Sequence, residues 1–408
     1  LIAQRLPLAG IRVVDFSRVL AGPFCTALLG DLGAEILKVE PPGGDDYRAV
    51  GPFVNGRSGL FEAINRNKQS IVVDLKSDDG RALAQQLATH ADVVVENFRP
   101  GVADRLGIGY AALAALNPSL IYASVSGFGQ TGPESHRPAY DIVLQAMCGL
   151  MDATGSPDGP PTLVGESISD VVSGLFASWG VLAALFAREQ TGRGTQVDVS
   201  MFDATLSLMA TLVARYAATG LTPQRVGNRH PCSAPFGAYR AADGFYVVAV
   251  LNNRLFETFA RTIGRADLAT DPRYADDDAR SRFEPELRRC IEAWSAALPV
   301  AEVNRILGDA HIPVAPIWSV KQALESEHAA FRALLTEVPA PHGPAARVPS
   351  QPVKFSGYAA NRVGRAPGLG EHTEPILADC LRLSPERIAQ LRAAGAFGPA
   401  RATASQEP

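Results

Sequence analysis

Over the first two hundred residues, short apolar runs rich in β-branched residues alternate with segments of helical spacing. IRVVDFS (11–17), AEILKVE (34–40), SIVVDL (70–75), DVVVENF (92–98) and LIYASVSGF (120–128) are almost continuously apolar, as strands of a parallel sheet covered on both faces must be. Between them, GPFCTALLGDLG (22–33), SDDGRALAQQLATH (77–90) and GVADRLGIGYAALAAL (101–116) repeat their apolar residues with the period of a helix face. The pattern predicts a βαβ series, hence an open α/β sheet. A long apolar helix at 170–189 follows, then a strand in TQVDVSM (195–201) and a helix in DATLSLMATLVARYA (203–217).

Near residue 218 the texture changes. A turn-rich stretch leads into FYVVAV (245–250), then into mostly helical sequence to about 310. IPVAPIWSV (312–320) resumes an extended course, and 338–369 is crowded with Pro, Gly and Arg. That last stretch reads as a strap laid over another surface rather than a compact loop.

The length of 408 residues implies two or three domains, and 47% hydrophobic with 20% charged residues excludes global disorder. A net charge of −4 without a long basic stretch excludes a general nucleic-acid binder. Cys25, Cys148, Cys232, Cys290 and Cys380 are scattered, with no metal-ligand spacing, so the expectation is a reduced compartment and no metal. The opening LIAQRLPLAG carries neither a signal-peptide core nor a transit-helix pattern. The longest apolar run, 171–187, contains Ser173, Gly174, Ser178 and Gly180, which suit packing inside protein better than lipid. A soluble, cytoplasmic protein with no membrane partner is the expectation.

Neither GxGxxG nor GxxxxGK[ST] is present, which argues against a standard dinucleotide or P-loop site. Without GxSxG or HExxH the usual marks of an α/β hydrolase and a zinc protease are missing too. Polar and basic groups do gather at strand ends: Arg18, Lys38, Lys76, and Asn97, Phe98 and Arg99, with Arg105 and Arg137 further on. In an open α/β sheet those ends border the ligand crevice. The cations suit phosphates and Phe98 offers a face to a base, so a phosphate-rich ligand with an adenine is expected. Asp170, alone at the start of the apolar helix, has two readings. It is either an ordinary helix cap or a reactive carboxylate with spare N–H donors nearby.

VVDFSRVLAGPFCTALLGDLGAEILKVEPPGGDDYR (13–48), NRNKQSIVVDLK (65–76), ADVVVENFRPG (91–101), NPSLIYASVSGFGQTGP (117–133), AYD (139–141), GESISD (165–170), TGRGTQVDVSMFDA (191–204) and GNRHP (227–231) together resemble the class III CoA-transferases. This is the CaiB/BaiF family, which includes formyl-CoA transferase. The resemblance implies a Rossmann-like large domain over 1–200, completed by about 370–408. A linker helix at 201–224, a small α+β domain at 225–325 and an extended linker at 326–369 follow, in an interlocked, ring-shaped homodimer.

By the same resemblance Asp170 is the nucleophile, forming first an anhydride with the acyl group and then an aspartyl-CoA thioester. Leu20, Ala21, Val73, Lys76, Asn97, Phe98, Arg99, Arg105, Arg137, Ala139 and Tyr140 are the implied CoA contacts, and acyl-CoA and a small carboxylic acid the substrates. No permanently bound cofactor is implied. Where formyl-CoA transferase has an Arg after the second strand's Glu, this chain has Pro41, with Arg18 or Lys38 as substitutes at hand. Its glycine-rich loop is replaced by Gly227, Asn228, Arg229 and His230. That stretch is similar to members using succinate or glutarate, so formyl-CoA and oxalate are not expected. Two alternatives share the blocks. An α-methylacyl-CoA racemase needs a His where Tyr140 stands, and tyrosine is a poor base at neutral pH. A non-catalytic acyl-CoA binder has no use for Asp170.

Overall fold

The structure is a computed structural model and describes residues 6–339, 345–358 and 363–398. Each apolar run of the first two hundred residues supplies one strand of a six-stranded sheet. The strands are β1 (Arg12–Asp15), β2 (Glu35–Glu40), β3 (Lys68–Val72), β4 (Val93–Glu96), β5 (Ile121–Ser126) and β6 (Gln196–Ser200). Their order is β3-β2-β1-β4-β5-β6, with every neighbouring pair parallel. This is the doubly wound order in which the chain reverses direction between β1 and β4.

Helices that pack with this sheet include α1 (Ala21–Asp31), α2 (Asp78–Thr89), α3 (Tyr110–Leu116), α4 (Asp141–Met147) and α5 (Ile168–Thr191). The strands' two-residue period divides their apolar side chains between two layers. Val14, Leu37, Ile71 and Val94 pack with Leu83 and Leu87 of α2 and with Ile376 and Leu377 from the C-terminal helix Thr373–Leu381. Val13, Ile36, Val93 and Ile121 pack with Cys25 and Leu29 of α1 and Ala177 and Val181 of α5.

Two expected helices are each broken. In 101–116 a turn at Gly107, with φ of 73°, separates Val102–Arg105 from α3. Over 203–217, Met209 separates α6 (Met201–Leu208) from α7 (Ala210–Thr219).

Contacts divide the chain into two units, one of 1–150, 164–217 and 327–408, the other of 151–163 and 218–326. In the second unit β7 (Phe236–Arg240), β8 (Phe245–Ala249) and β9 (Val314–Pro316) form an antiparallel sheet. Phe256, Phe259, Leu287, Ile291, Val303 and Leu307 give it its own core. The 326–369 segment, expected to be extended, contains the short helix Glu327–Phe331 and an antiparallel pair, β10 (Leu335–Val338) with β11 (Ala346–Pro349). Buried Val338 and Val348 anchor that pair, an alternation hidden in the sequence by surrounding Pro and Gly.

Helix α5 is long and apolar enough to cross a membrane by composition, yet it lies on the sheet with Ser173, Gly174, Ala177, Ser178 and Val181 buried. Gly174 sets how near it comes to α1. A Cβ there would stand 2.5 Å from the carbonyl oxygen of Ala21 and 3.2 Å from the nitrogen of Cys25. G174A should therefore destabilise the protein by about 1–3 kcal/mol, as overpacking does. Urea unfolding checks this, and an unchanged midpoint would show that the two helices are free to separate.

Candidate active site

Where β1 and β4 diverge, a cleft of about 490 Å³ opens beyond the carboxyl ends of the strands, the place open α/β sheets hold ligands. Arg18, Leu20 and Ala21 line it from the turn after β1, and Asn97, Phe98, Arg99 and Arg105 from the chain after β4. Arg137, Ala139 and Tyr140 contribute from the segment before α4, and Asp170 from the first turn of α5. The two residues of the implied CoA set that do not line it are Val73, whose side chain is in the core, and Lys76, exposed in the turn after β3.

Asp170 does not act as the cap of its helix. Helix α5 has Ser167 as its N-cap, with no side-chain cap bond. Asp141, at the start of α4, does the capping: its Oδ1 accepts from Ser169 N at 2.7 Å. Gln145 holds that carboxylate, donating from Nε2 to Asp141 Oδ2 at 2.7 Å and to the carbonyl of Glu166 at 3.1 Å. Its Oε1 accepts from Val164 N at 3.1 Å. With the helix start satisfied from outside, the carboxylate of Asp170 accepts no hydrogen bond among the described residues. Burial, and secondarily the charge of Asp141, pushes Asp170 up from 3.8 to about 7.

Donors line the same cleft. Helix α1 begins without a side-chain cap, and among the described residues the N–H groups of Leu20 and Ala21 have no acceptor. Gly174, one turn beyond Asp170, packs on Ala21, and Asp170 shares the cleft lining with Leu20 and Ala21. An open helix start carries partial positive charge.

The cations differ in availability. Arg99 and Arg105 are exposed and make no ion pair among the described residues. Arg137 pairs with Glu134 at 3.2 Å. Arg18 lies 5.8 Å from the centre of the Phe98 ring and 3.9 Å from Asp46. Lys38, one of the two substitutes for the missing Arg at position 41, is fully buried and pairs with Asp45 at 2.7 Å, so it faces the interior and Arg18 alone reaches the cleft. Asn97 uses both ends of its amide on the backbone of Arg18, at 2.8 Å each.

In the second unit Gly227 and Asn228 form a bend, with Gly227 at φ of 65°, and Arg229 and His230 run on beside β7. Asn228 O accepts from Ala238 N at 2.7 Å, His230 N donates to Phe236 O at 2.7 Å, and Arg229 bridges Gly237. The His230 ring packs 4.9 Å from that of Phe236, while the Arg229 guanidinium has no partner among the described residues.

A sequence profile of CoA-transferase family III matches residues 8–373. The chain belongs to CoA-transferase family III. It is 46% identical over 354 residues to acetyl-CoA:oxalate CoA-transferase of Acetobacter aceti, covering 86% of this chain and 90% of that one. To succinyl-CoA--D-citramalate CoA-transferase of Chloroflexus aurantiacus it is 37% identical over 390 residues, covering 95% and 97%. A CaiB/BaiF family protein from Brucella suis superposes with a TM-score of 0.82 at 35% identity, covering 92% of this chain and all of that one. The protein is thus an enzyme, a CoA-transferase, and CoA thioesters are its substrates.

Sequence reasoning missed Asp141 as the cap of α5 and Gln145 as the residue that holds it. Their four-residue spacing places them on one face of a helix, but nothing in the sequence ties that face to a helix start many residues later.

The position of Asp170 carries a stability signature. Its folded value lies above its unfolded one of 3.8, so ionising it costs nothing at low pH and the full cost is present once pH exceeds about 7. D170N removes that cost. The midpoint of thermal unfolding of D170N should exceed that of the parent by more at about pH 8 than at about pH 5, and equal differences at both would show that the carboxylate is not desolvated.

Proposed function

We propose that this transferase moves CoA from an acyl-CoA donor to a short carboxylic acid, using Asp170 as a temporary covalent carrier. The observation that carries the reading is the uncapped, partly buried carboxylate standing in a cation-rimmed cleft beside an open helix end. Asp170 attacks the thioester carbonyl, the C–S bond breaks, and CoA thiolate leaves behind a mixed anhydride. The thiolate then attacks the aspartyl carbonyl, releasing the donor acid and leaving an aspartyl-CoA thioester. An acceptor carboxylate runs the two steps in reverse. The acyl activation passes from bond to bond, so the exchange consumes no nucleotide triphosphate.

A carboxylate raised to about 7 is more basic than an ordinary one while still substantially ionised at neutral pH. Leu20 and Ala21 N–H suit the oxyanion that forms in each addition. Arg18, Arg99, Arg105 and Arg137 suit the phosphates of CoA, and Phe98 its base.

Arg229 is the residue proposed to meet the second carboxylate of a dicarboxylic acid, supported by its unpaired guanidinium. The sequence expectation set oxalate aside; the relative named for oxalate, 46% identical, returns it to the acids to be tried alongside succinate and glutarate. Leu175, Trp179 and Phe186 are more than half exposed along one stripe of α5, which fits the proposed interlocked homodimer. Five cysteines without disulfides fit a cytoplasmic location. A racemase role lacks support, because Tyr140 lines the cleft and His136 lines a separate cavity with Glu96.

Isotope exchange tests the reading. With acetyl-CoA or succinyl-CoA labelled in the CoA moiety and a panel of oxalate, succinate and glutarate, label should appear in the CoA thioester of at least one of these acids without deuterium entering beside the thioester. R229A should raise KM for that acid about tenfold or more, the size of a lost charge-assisted contact, and leave KM for acyl-CoA in place. Deuterium uptake without CoA exchange would establish the racemase instead.

A further inference from the structure

The turn that joins β1 to α1 holds a strained residue. Val19 has φ of 69°, a left-handed conformation that a β-branched residue adopts only at a cost. Residues in such conformations persist when surrounding structure over-determines them. Here three consecutive residues are clamped. Ser17 O accepts from Lys38 Nζ at 3.0 Å, Arg18 N and O are both gripped by Asn97, and Val19 N donates to Asp45 Oδ1 at 3.2 Å.

Asp45 is itself fixed. Its side chain and that of Lys38 are fully buried, and they pair at 2.7 Å. Its backbone N–H donates to Glu40 Oε2 at 3.0 Å, and its Oδ1 also accepts from Tyr47 N at 2.9 Å. The clamp therefore runs from the interior of β2, through a buried ion pair, to the backbone of a strained residue in the cleft wall. The next two residues, Leu20 and Ala21, carry the free N–H groups described above.

We propose that Asp45 is a positioning residue for CoA transfer: held by buried Lys38, it fixes Val19 in its left-handed conformation and so keeps the Leu20 and Ala21 N–H groups at the wall of the cleft that holds Asp170. The inference rests on the covalent reading of Asp170 and adds to it a residue that touches no reacting atom. A glycine at 19 would hold the same backbone without strain. The side chain at 19 therefore creates the need for the clamp.

A double-mutant cycle between D45A and V19G tests this. D45A should lower kcat by about tenfold or more, the scale of a left-handed non-glycine residue released, with a smaller change in KM for acyl-CoA. V19G/D45A should recover most of that loss, since glycine takes up the conformation unaided. A merely structural role for Asp45 predicts falling thermal stability in both backgrounds and no recovery of kcat. Full kcat in D45A, or a loss that V19G leaves unchanged, would overturn the proposal. Should D45A fail to fold, D45N gives the complementary test. It keeps an oxygen for Val19 N, so its kcat should fall by less than about tenfold, and a larger loss that V19G leaves unchanged would overturn the proposal. Failure of the covalent reading shows separately, as undiminished exchange by D170N with Asp45 and Val19 intact.

Discussion

A helix that begins at Ile168 needs acceptors for its first free N–H groups, and the carboxylate of Asp141 supplies one from another helix, 2.7 Å from Ser169 N. This bond fixes what the next residue is able to do. Were Asp170 the cap, its oxygens would be committed to backbone donors and its charge stabilised by them. With the cap provided by Asp141, Asp170 keeps both oxygens unengaged, and the same neighbouring charge helps raise it to about 7. One contact thus completes a helix and leaves the neighbouring carboxylate free of the capping role.

The second requirement is nearness, and it is met by small residues. Gly174 lets α5 lie against the backbone of α1, and the starts of the two helices, Asp170 on one and Leu20 and Ala21 at the other, line one cleft. Holding reactants close together is where a weak nucleophile gains most, by roughly 7–11 kcal/mol in well-oriented cases. Beneath the cleft lies a layer of buried charge. Asp15 is fully buried, and although burial alone would raise it, Lys68 and Lys38 bring it down to about 2. It accepts from Thr26 Oγ1 at 2.6 Å and from Lys68 Nζ at 3.0 Å. Buried pairs of this kind are weak sources of net stability. Their directional bonds instead fix the turn after β1, so the wall of the cleft is set from the interior outward.

Much of this was legible in the chain. Continuous apolar runs exposed five of the six strands, because a strand buried on both faces has no polar alternation to confuse it. The sixth, QVDVS, alternates and is partly exposed. Polar and basic residues at strand ends marked the cleft, since sheet topology leaves only that edge open. Long-range pairing stayed hidden. Lys38 reads in sequence as one more strand-end cation, and only the register that sets Asp15 opposite it shows that it points into a buried network with Asp45. Asp141 reads as the tail of a three-residue motif. Val73 and Lys76 follow the implied pattern in sequence, yet neither lines the cleft. The break at Gly107 falls at a glycine with φ of 73°, while the break at Met209 leaves no mark in the local periodicity.

The central claim is that Asp170 becomes covalently bonded to the group in transit. The most direct measurement is mass spectrometry of the enzyme quenched during turnover with acyl-CoA and treated with borohydride or hydroxylamine, followed by peptide mapping. The account predicts a reduced or hydroxamate-modified side chain at Asp170, formed only when acyl-CoA is present and absent from D170N. An unmodified Asp170 in enzyme that is actively exchanging CoA, under conditions that trap an aspartyl thioester standard, would contradict it.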